Sequence, residues 1–122
     1  MVEFVENSNA IAVKINLSYK EGMGTFQIYE CARSAWRIDK NKVDQIKYVV
    51  VVFKGEIKEV FKVAGWFDAG STLSSVERLS IENKVEFVGC LAEDKIREKY
   101  NGRRLEDFIG DKFETFRYMT VQ

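Results

Sequence analysis

The stretch KYVVVVFKGEIKEVFKVAGW, residues 47–66, decides the fold that we predict for this chain. Its first part, residues 47–53, is a nearly continuous run of β-branched residues, which is typical of a strand covered on both faces. Lys54-Gly55 predicts a tight turn, and residues 56–66 predict a returning strand. The stretch therefore predicts a β-hairpin.

The returning strand does not alternate cleanly between apolar and polar residues. Glu59 shares its parity with Ile57 and Phe61, so a regular strand would place the carboxylate on an apolar face. We therefore expect a bulge or a change of face near residues 58–60.

The segments on either side of the hairpin predict shorter elements. In chain order these are a strand at 10–17, a loop at 18–24, a helix capped by Thr25 that ends near Trp36, a weak helical turn within 37–46, a long loop at 67–83, a strand at 84–91, a helix at 92–100 stopped by Asn101-Gly102, and a last strand within 113–122. This order predicts an α+β fold with a mainly antiparallel sheet or a small open β-barrel, with helices packed at its ends. It disfavours a parallel doubly wound sheet.

Composition limits the class of protein. The 122 residues fit one domain, 1–122. Because 19 basic residues balance 19 acidic ones, the domain as a whole is not a basic binder of nucleic acid or membranes, which leaves a local basic patch as the open alternative. The longest apolar run is too short to cross a bilayer, and the N-terminus does not read as a secretory signal. Cys31 and Cys90 have no CxxC spacing, and we expect reduced thiols in a cytosolic protein.

Histidine is absent from the chain. Its absence excludes Ser-His-Asp and Cys-His catalysis and histidine-based zinc sites. No phosphate loop, dinucleotide fingerprint or cluster of metal ligands is present in the sequence. We therefore predict no catalytic residue, no metal and no cofactor.

The two tryptophans are the first candidates for a binding site. Trp36 and Trp66 lie at the margins of the apolar stretch, and Arg33 and Arg37 flank Trp36. An aromatic plane beside guanidinium groups suits a flat, polar or anionic ligand, which stacks on the ring while arginine holds a phosphate or carbonyl. The alternative is that the tryptophans close the two ends of the core and the arginines are solvated.

Two further candidates lie near the first loop. Asn16 is on the polar parity of the first strand, and Tyr19 lies in a glycine-containing loop that has the flexibility of a lid. Either side chain could contact a ligand. The alternative is that Asn16 bonds a neighbouring loop and Tyr19 packs within its own.

Four stretches resemble the PUA-like superfamily, which includes the EVE, ASCH and YTH domains. They are AVKINLSY (12–19), YECARSAWRIDK (29–40), YVVVVFKGEIKEVFKVAGW (48–66) and KVEFVGCL (84–91). They are similar to an opening strand, a helix followed by a small-small-Trp stretch, a strong hairpin and a later barrel strand. The chain also resembles a group of small bacterial proteins of undefined function.

The resemblance implies a compact β-barrel whose pocket binds RNA, a modified base or a nucleotide-like ligand. Trp36 matches the tryptophan that follows the helix in the aromatic cage of YTH-type members, and Trp66 lies near the loop that carries another cage residue. The neutral charge departs from the basic surface of strong nucleic-acid binders, so recognition of a single base or a small ligand is favoured.

Three functions remain open at this stage. The first is a cytosolic, non-enzymatic domain that binds a nucleotide, a modified base or single-stranded nucleic acid through Trp36 and Trp66. The second is a protein–protein module or a homodimer, which exposed aromatic edges and neutral charge fit equally well. The third is an enzyme that uses carboxylates, lysine or tyrosine, and it requires a pocket with at least two ionisable groups of shifted pKa.

Overall fold

A computed structural model describes residues 8–16, 18–33, 36–72, 83–110, 112–113 and 115–122. It shows one five-stranded mixed sheet with two α-helices. The elements are β1 (Ala10–Lys14), α1 (Thr25–Ala32), β2 (Tyr48–Phe53), β3 (Glu56–Asp68), β4 (Val85–Leu91), α2 (Asp94–Tyr100) and β5 (Phe116–Met119), with 3-10 turns at Val43–Gln45 and Leu105–Asp107. The strand order is β4-β3-β2-β1-β5.

The predicted hairpin is confirmed as β2 and β3. Residues 49–52 of β2 are 0% exposed, as expected of a strand covered on both faces. The turn residues Lys54 and Gly55 have φ angles of 48° and 82°. Two successive positive φ angles are the signature of the type I′ turn, which matches the twist of antiparallel strands.

The predicted irregularity near Glu59 is also confirmed. Val51 pairs with Glu59 and Val52 pairs with Ile57, so Lys58 is an extra residue in β3. Ile57 consequently packs in the core on one face of the sheet, whereas Phe61 packs in the core on the other. The bulge explains how residues of one parity reach opposite faces.

The sheet is open, and this corrects the barrel alternative. β1 pairs in parallel with β2 and antiparallel with β5, while β2–β3 and β3–β4 are antiparallel. The helices lie on the two faces of the sheet and not at its ends: Ile28 and Ala32 of α1 join one core, and Tyr100 of α2 joins the other. Two separate apolar layers, each covered by a helix, remove the need for closure.

Some predicted boundaries differ from the observed ones. Gly24 and not Thr25 caps α1, and its N–H donates to the Gln27 side chain at 2.9 Å. β3 continues to Asp68 because that residue pairs with Val85 of β4. Most of the predicted long loop, residues 73–82, lies outside the described residues.

Two other expectations concern the state of the cysteines and the absence of a membrane-spanning segment. Cys31 and Cys90 are free thiols. Within the part of the chain that the structure describes, neither helix has the length and apolar character needed to cross a membrane.

Glu59 anchors α2 to the sheet. Its buried carboxylate accepts two hydrogen bonds from Arg97, at 2.9 Å from Nε and 3.0 Å from Nη2, and a third at 2.8 Å from Asn101. Burial alone would raise the pKa of Glu59, but these bonds, the Val60 N–H and the charge of Arg97 outweigh it and lower the pKa. The carboxylate is thus stable inside the protein because Arg97 of α2, Asn101 after it and the neighbouring Val60 N–H supply its partners.

Because the pKa of Glu59 is lowered, we predict that its contribution to the free energy of unfolding is lost in acid. Its contribution to stability is fully present above the unfolded-state pKa of about 4.3 and is lost as pH falls through the folded-state pKa. We expect Glu59→Gln to lower the free energy of unfolding most at pH 7, with the difference from the parent shrinking below about pH 4. Urea unfolding across this range measures it, with exposed Glu98→Gln as the matched control. A difference that does not change with pH would contradict the prediction.

Gly89 predicts a steric effect on stability. A Cβ at this position would lie 2.1 Å from the Lys62 carbonyl oxygen, where the ladder between β3 and β4 shifts register. Because the obstacle is backbone, we expect Gly89→Ala to lower the free energy of unfolding by about 2 kcal/mol or more. Gly24→Ala is the control: its Cβ meets only a side-chain atom at 3.9 Å, so the change costs only the weaker cap of α1, about 0.5–1 kcal/mol. Equal losses in the two variants would show that the close approach does not matter.

Candidate functional site

The six candidate residues fall into two groups at opposite ends of β3. Trp36, Trp66, Arg33 and Arg37 lie towards its C-terminal end, and Asn16 and Tyr19 lie beside its first residues. A strand rises roughly 3.3 Å per residue, so the ten steps from Glu56 to Trp66 span roughly 33 Å. A small ligand cannot contact both groups.

Asn16 and Tyr19 make contacts within the protein. The Asn16 side-chain oxygen accepts a hydrogen bond at 3.0 Å from the N–H of Lys54 in the hairpin turn. The ring of Tyr19 packs 4.4 Å from that of Phe53, and the Lys58 ammonium lies 5.2 Å from the Tyr19 ring. The Asn16 contact matches the alternative in which it bonds a neighbouring loop, whereas Tyr19 packs on residues of β2 and β3 and not within its own loop.

Trp36 covers the outer edge of β4. Its backbone exchanges two hydrogen bonds with Val85, at 3.0 and 2.9 Å, and the Phe87 N–H donates to the Arg33 carbonyl at 3.0 Å. The indole Nε1 donates to the Ala32 carbonyl at 2.6 Å. Arg33 and Trp36 therefore protect a sheet edge that would otherwise be free to pair with another chain.

Arg33 points into the protein. It is 3% exposed, its Nε donates to the Phe87 carbonyl at 3.2 Å, and its guanidinium pairs with Glu86 at 3.4 Å and Glu30 at 3.5 Å. Arg37 is exposed. Of the two predicted arginines, Arg37 is the one that lies at the surface.

Glu86 organises the chain that follows β3. Its buried carboxylate accepts hydrogen bonds from the Gly70 N–H at 2.7 Å and the Thr72 N–H at 3.0 Å, and it contacts the Thr72 hydroxyl, which also contacts Arg33. An ion pair in the interior is tolerated when the remaining oxygen lone pairs are bonded in this way. Arg33 and Glu86 thus have a structural role that the sequence did not indicate.

Trp66 is partly buried, and its ring is held from two sides. The indole Nε1 donates to the Ile46 carbonyl at 3.0 Å, and the ring lies 5.6 Å from that of Phe87, its cross-strand neighbour. Because the only polar atom of the indole is already bonded, the remaining surface of the ring is apolar.

An open depression of about 340 Å³ lies against Trp66, and we call it the Trp66 depression. It is lined by Lys40, Val43, Trp66, Phe67, Asp68 and Val85. Val43 and Val85 are buried, whereas Lys40 and Asp68 form an ion pair at 2.7 Å with side chains that are 58% and 74% exposed. The depression therefore combines an aromatic, apolar floor with one donor and one acceptor at its rim.

Sequence reasoning identified Trp66 but missed its companions. Asp68 follows it by two residues, and the prediction of an irregular loop from residue 67 hid the strand that fixes its position. Lys40 and Val43 come from a polar segment with a weak pattern, and only tertiary contact brings them to Trp66. Trp36 does not line the depression, but its backbone bonds hold Val85 in place.

The enzyme alternative finds no support in this depression. Side chains with a shifted pKa include Tyr48, Glu59, Lys62, Glu93, Arg97 and Tyr118, and none of these six lines it. Burial and a 2.9 Å hydrogen bond to Glu93 raise the pKa of Tyr48, and a 3.0 Å ion pair with Glu93 raises that of Lys62. The described ranges also hold no cluster of three or more metal-ligating side chains.

A second depression, of about 330 Å³, follows one side of α2. It is lined by Asp94, Arg97, Glu98 and Asn101, and the Asn101 side-chain oxygen is buried with no hydrogen-bond partner. None of the described residues that line it carries an aromatic ring, so it does not suit a flat ligand in the way that the Trp66 depression does.

Comparison with known proteins identifies no relative: no protein-family model, no curated protein and no solved structure matches the chain. The choice of function therefore rests on the geometry of this site.

Proposed function

We propose that the chain is a small ligand-binding domain related to the PUA-like type, with an open sheet in place of the closed barrel. It stacks one flat base, from a nucleotide, a modified base or single-stranded nucleic acid, on Trp66. The observation that carries the proposal is the Trp66 depression, where a partly buried indole meets apolar valines beneath a rim with one positive and one negative side chain. The four stretches of sequence similar to PUA-like domains support the same class of ligand.

The fixed position of Trp66 favours stacking. Its hydrogen bond to Ile46 and its contact with Phe87 hold the ring before a ligand arrives. A side chain that is already ordered loses little conformational entropy on binding. Stacking of a base on such a ring contributes about 1–3 kcal/mol and tolerates any base.

Charge favours a short ligand. Equal numbers of acidic and basic residues leave the chain without a net positive charge to attract a long nucleic-acid backbone. The exposed Arg37 is the candidate partner for a single phosphate, whereas Arg33 is engaged with Glu86 inside the protein. A mononucleotide or one base of a single strand therefore fits better than a duplex.

The proposal predicts a loss of binding when the aromatic plane is removed. We expect nucleosides and nucleotides to quench tryptophan fluorescence saturably, and Trp66→Leu to weaken their binding at least tenfold, as measured by calorimetry, because stacking is lost while an apolar residue stays. Trp36→Phe, which keeps a ring at a position outside the depression, is the control and should bind within about threefold of the parent. If Trp66→Leu stays folded and binds as the parent does, the site is elsewhere.

A protein–protein module is the second candidate, favoured by two exposed apolar side chains. Phe26 of α1 and Leu91 of β4 are 63% and 38% exposed. The aromatic rings of Tyr29 and Phe61 contact each other and connect these two side chains. Phe26 contacts Tyr29, and Leu91 is the cross-strand partner of Phe61. Such a patch favours contact with another chain. A mass in solution that rises with concentration, and that Phe26→Ser reduces, would support this function.

A further inference from the structure

The rim of the Trp66 depression has a defined hydrogen-bonding pattern. The Lys40 ammonium, a donor only, lies 2.7 Å from Oδ1 of the Asp68 carboxylate, an acceptor only. Both side chains are more than half exposed, so both reach the solvent side of the depression. A ligand that lies on Trp66 therefore meets one donor and two acceptor oxygens next to each other.

The bases differ in what they present to such a pair. The pairing edge of guanine carries a carbonyl oxygen at position 6 followed by two neighbouring N–H donors, at N1 and on the 2-amino group. Adenine and cytosine place a ring acceptor next to their amino group, and uracil has a single N–H between two carbonyls. A carboxylate accepts two parallel N–H bonds with its two oxygens, and guanine alone among these offers them on that edge.

We propose that the Trp66 depression selects guanine. Asp68 accepts the N1–H and the 2-amino N–H of the base, Lys40 donates to its O6, and Trp66 stacks on the ring. This inference rests on the proposed function and specifies its ligand. The same base occurs in free nucleotides and in single strands.

The backbone holds Asp68 in place for this role. The residue pairs with Val85 at the end of β3, and its carbonyl accepts bonds from the Ser71 N–H at 3.1 Å and the Ser71 hydroxyl at 2.6 Å. An exposed ion pair contributes only about 0–1 kcal/mol, so Lys40 can turn one of its donors to the base at little cost. The backbone of the acceptor residue is fixed, and the donor is adjustable.

The test titrates the protein with guanosine, inosine, adenosine and cytidine and follows tryptophan fluorescence. Inosine is the informative ligand, because it differs from guanosine only by the missing 2-amino group. We expect guanosine to bind about tenfold more tightly than the other three, since a bidentate contact discriminates bases by about 1–3 kcal/mol. Asp68→Asn should remove the difference between guanosine and inosine, whereas Asp107→Asn, the same change at a distant exposed position, should keep it.

The outcomes separate this inference from the function on which it rests. Selective guanosine binding that Asp68→Asn abolishes supports it. Equal binding of all four nucleosides overturns the guanine assignment and leaves the stacking function intact, and no binding by any of them overturns both. A comparison of GMP with a short single strand that contains one guanine then shows which source binds more tightly.

Discussion

The burial of β2 on both faces is the constraint on which the rest of the structure depends. Residues 49–52 are fully buried, so each face of the strand must be covered by a separate apolar layer. α1 supplies the cover on one side and α2 on the other, and the two cores never merge. A sheet covered in this way has no reason to curl, which is why it stays open with β4 and β5 at its edges.

Polar contacts hold α2 against the sheet and cover the outer edge of β4. The pattern of apolar residues in the sequence does not predict them. Glu59 bonds α2 to the bulge in β3. Arg33 and Trp36 bond the outer edge of β4 through their backbones, and the Gly89 N–H donates to the Tyr29 hydroxyl at 3.1 Å. Both arrangements bury charged or polar groups whose partners come from distant parts of the chain. The second arrangement holds the part of β4 that pairs with the end of β3, where Trp66 lies.

The hairpin and its bulge could be predicted because their causes are local. Positive φ angles at Lys54 and Gly55 follow from the turn that joins two twisted strands, and the parity of Glu59 showed that β3 could not be regular. The sheet class followed from the same pattern. The open form did not, because whether a sheet closes depends on which faces the helices cover.

The tryptophans show the same division between local and tertiary causes. Sequence alone determined that Trp36 and Trp66 flank the buried stretch and that histidine-based chemistry is excluded. Only the tertiary structure decided that Trp36 protects a strand edge, that Arg33 turns inward to Glu86, and that Lys40 meets Asp68 beside Trp66. The physical reason is that spacing along a chain defines the face on which a side chain lies, whereas its partners depend on how faces from distant segments pack together.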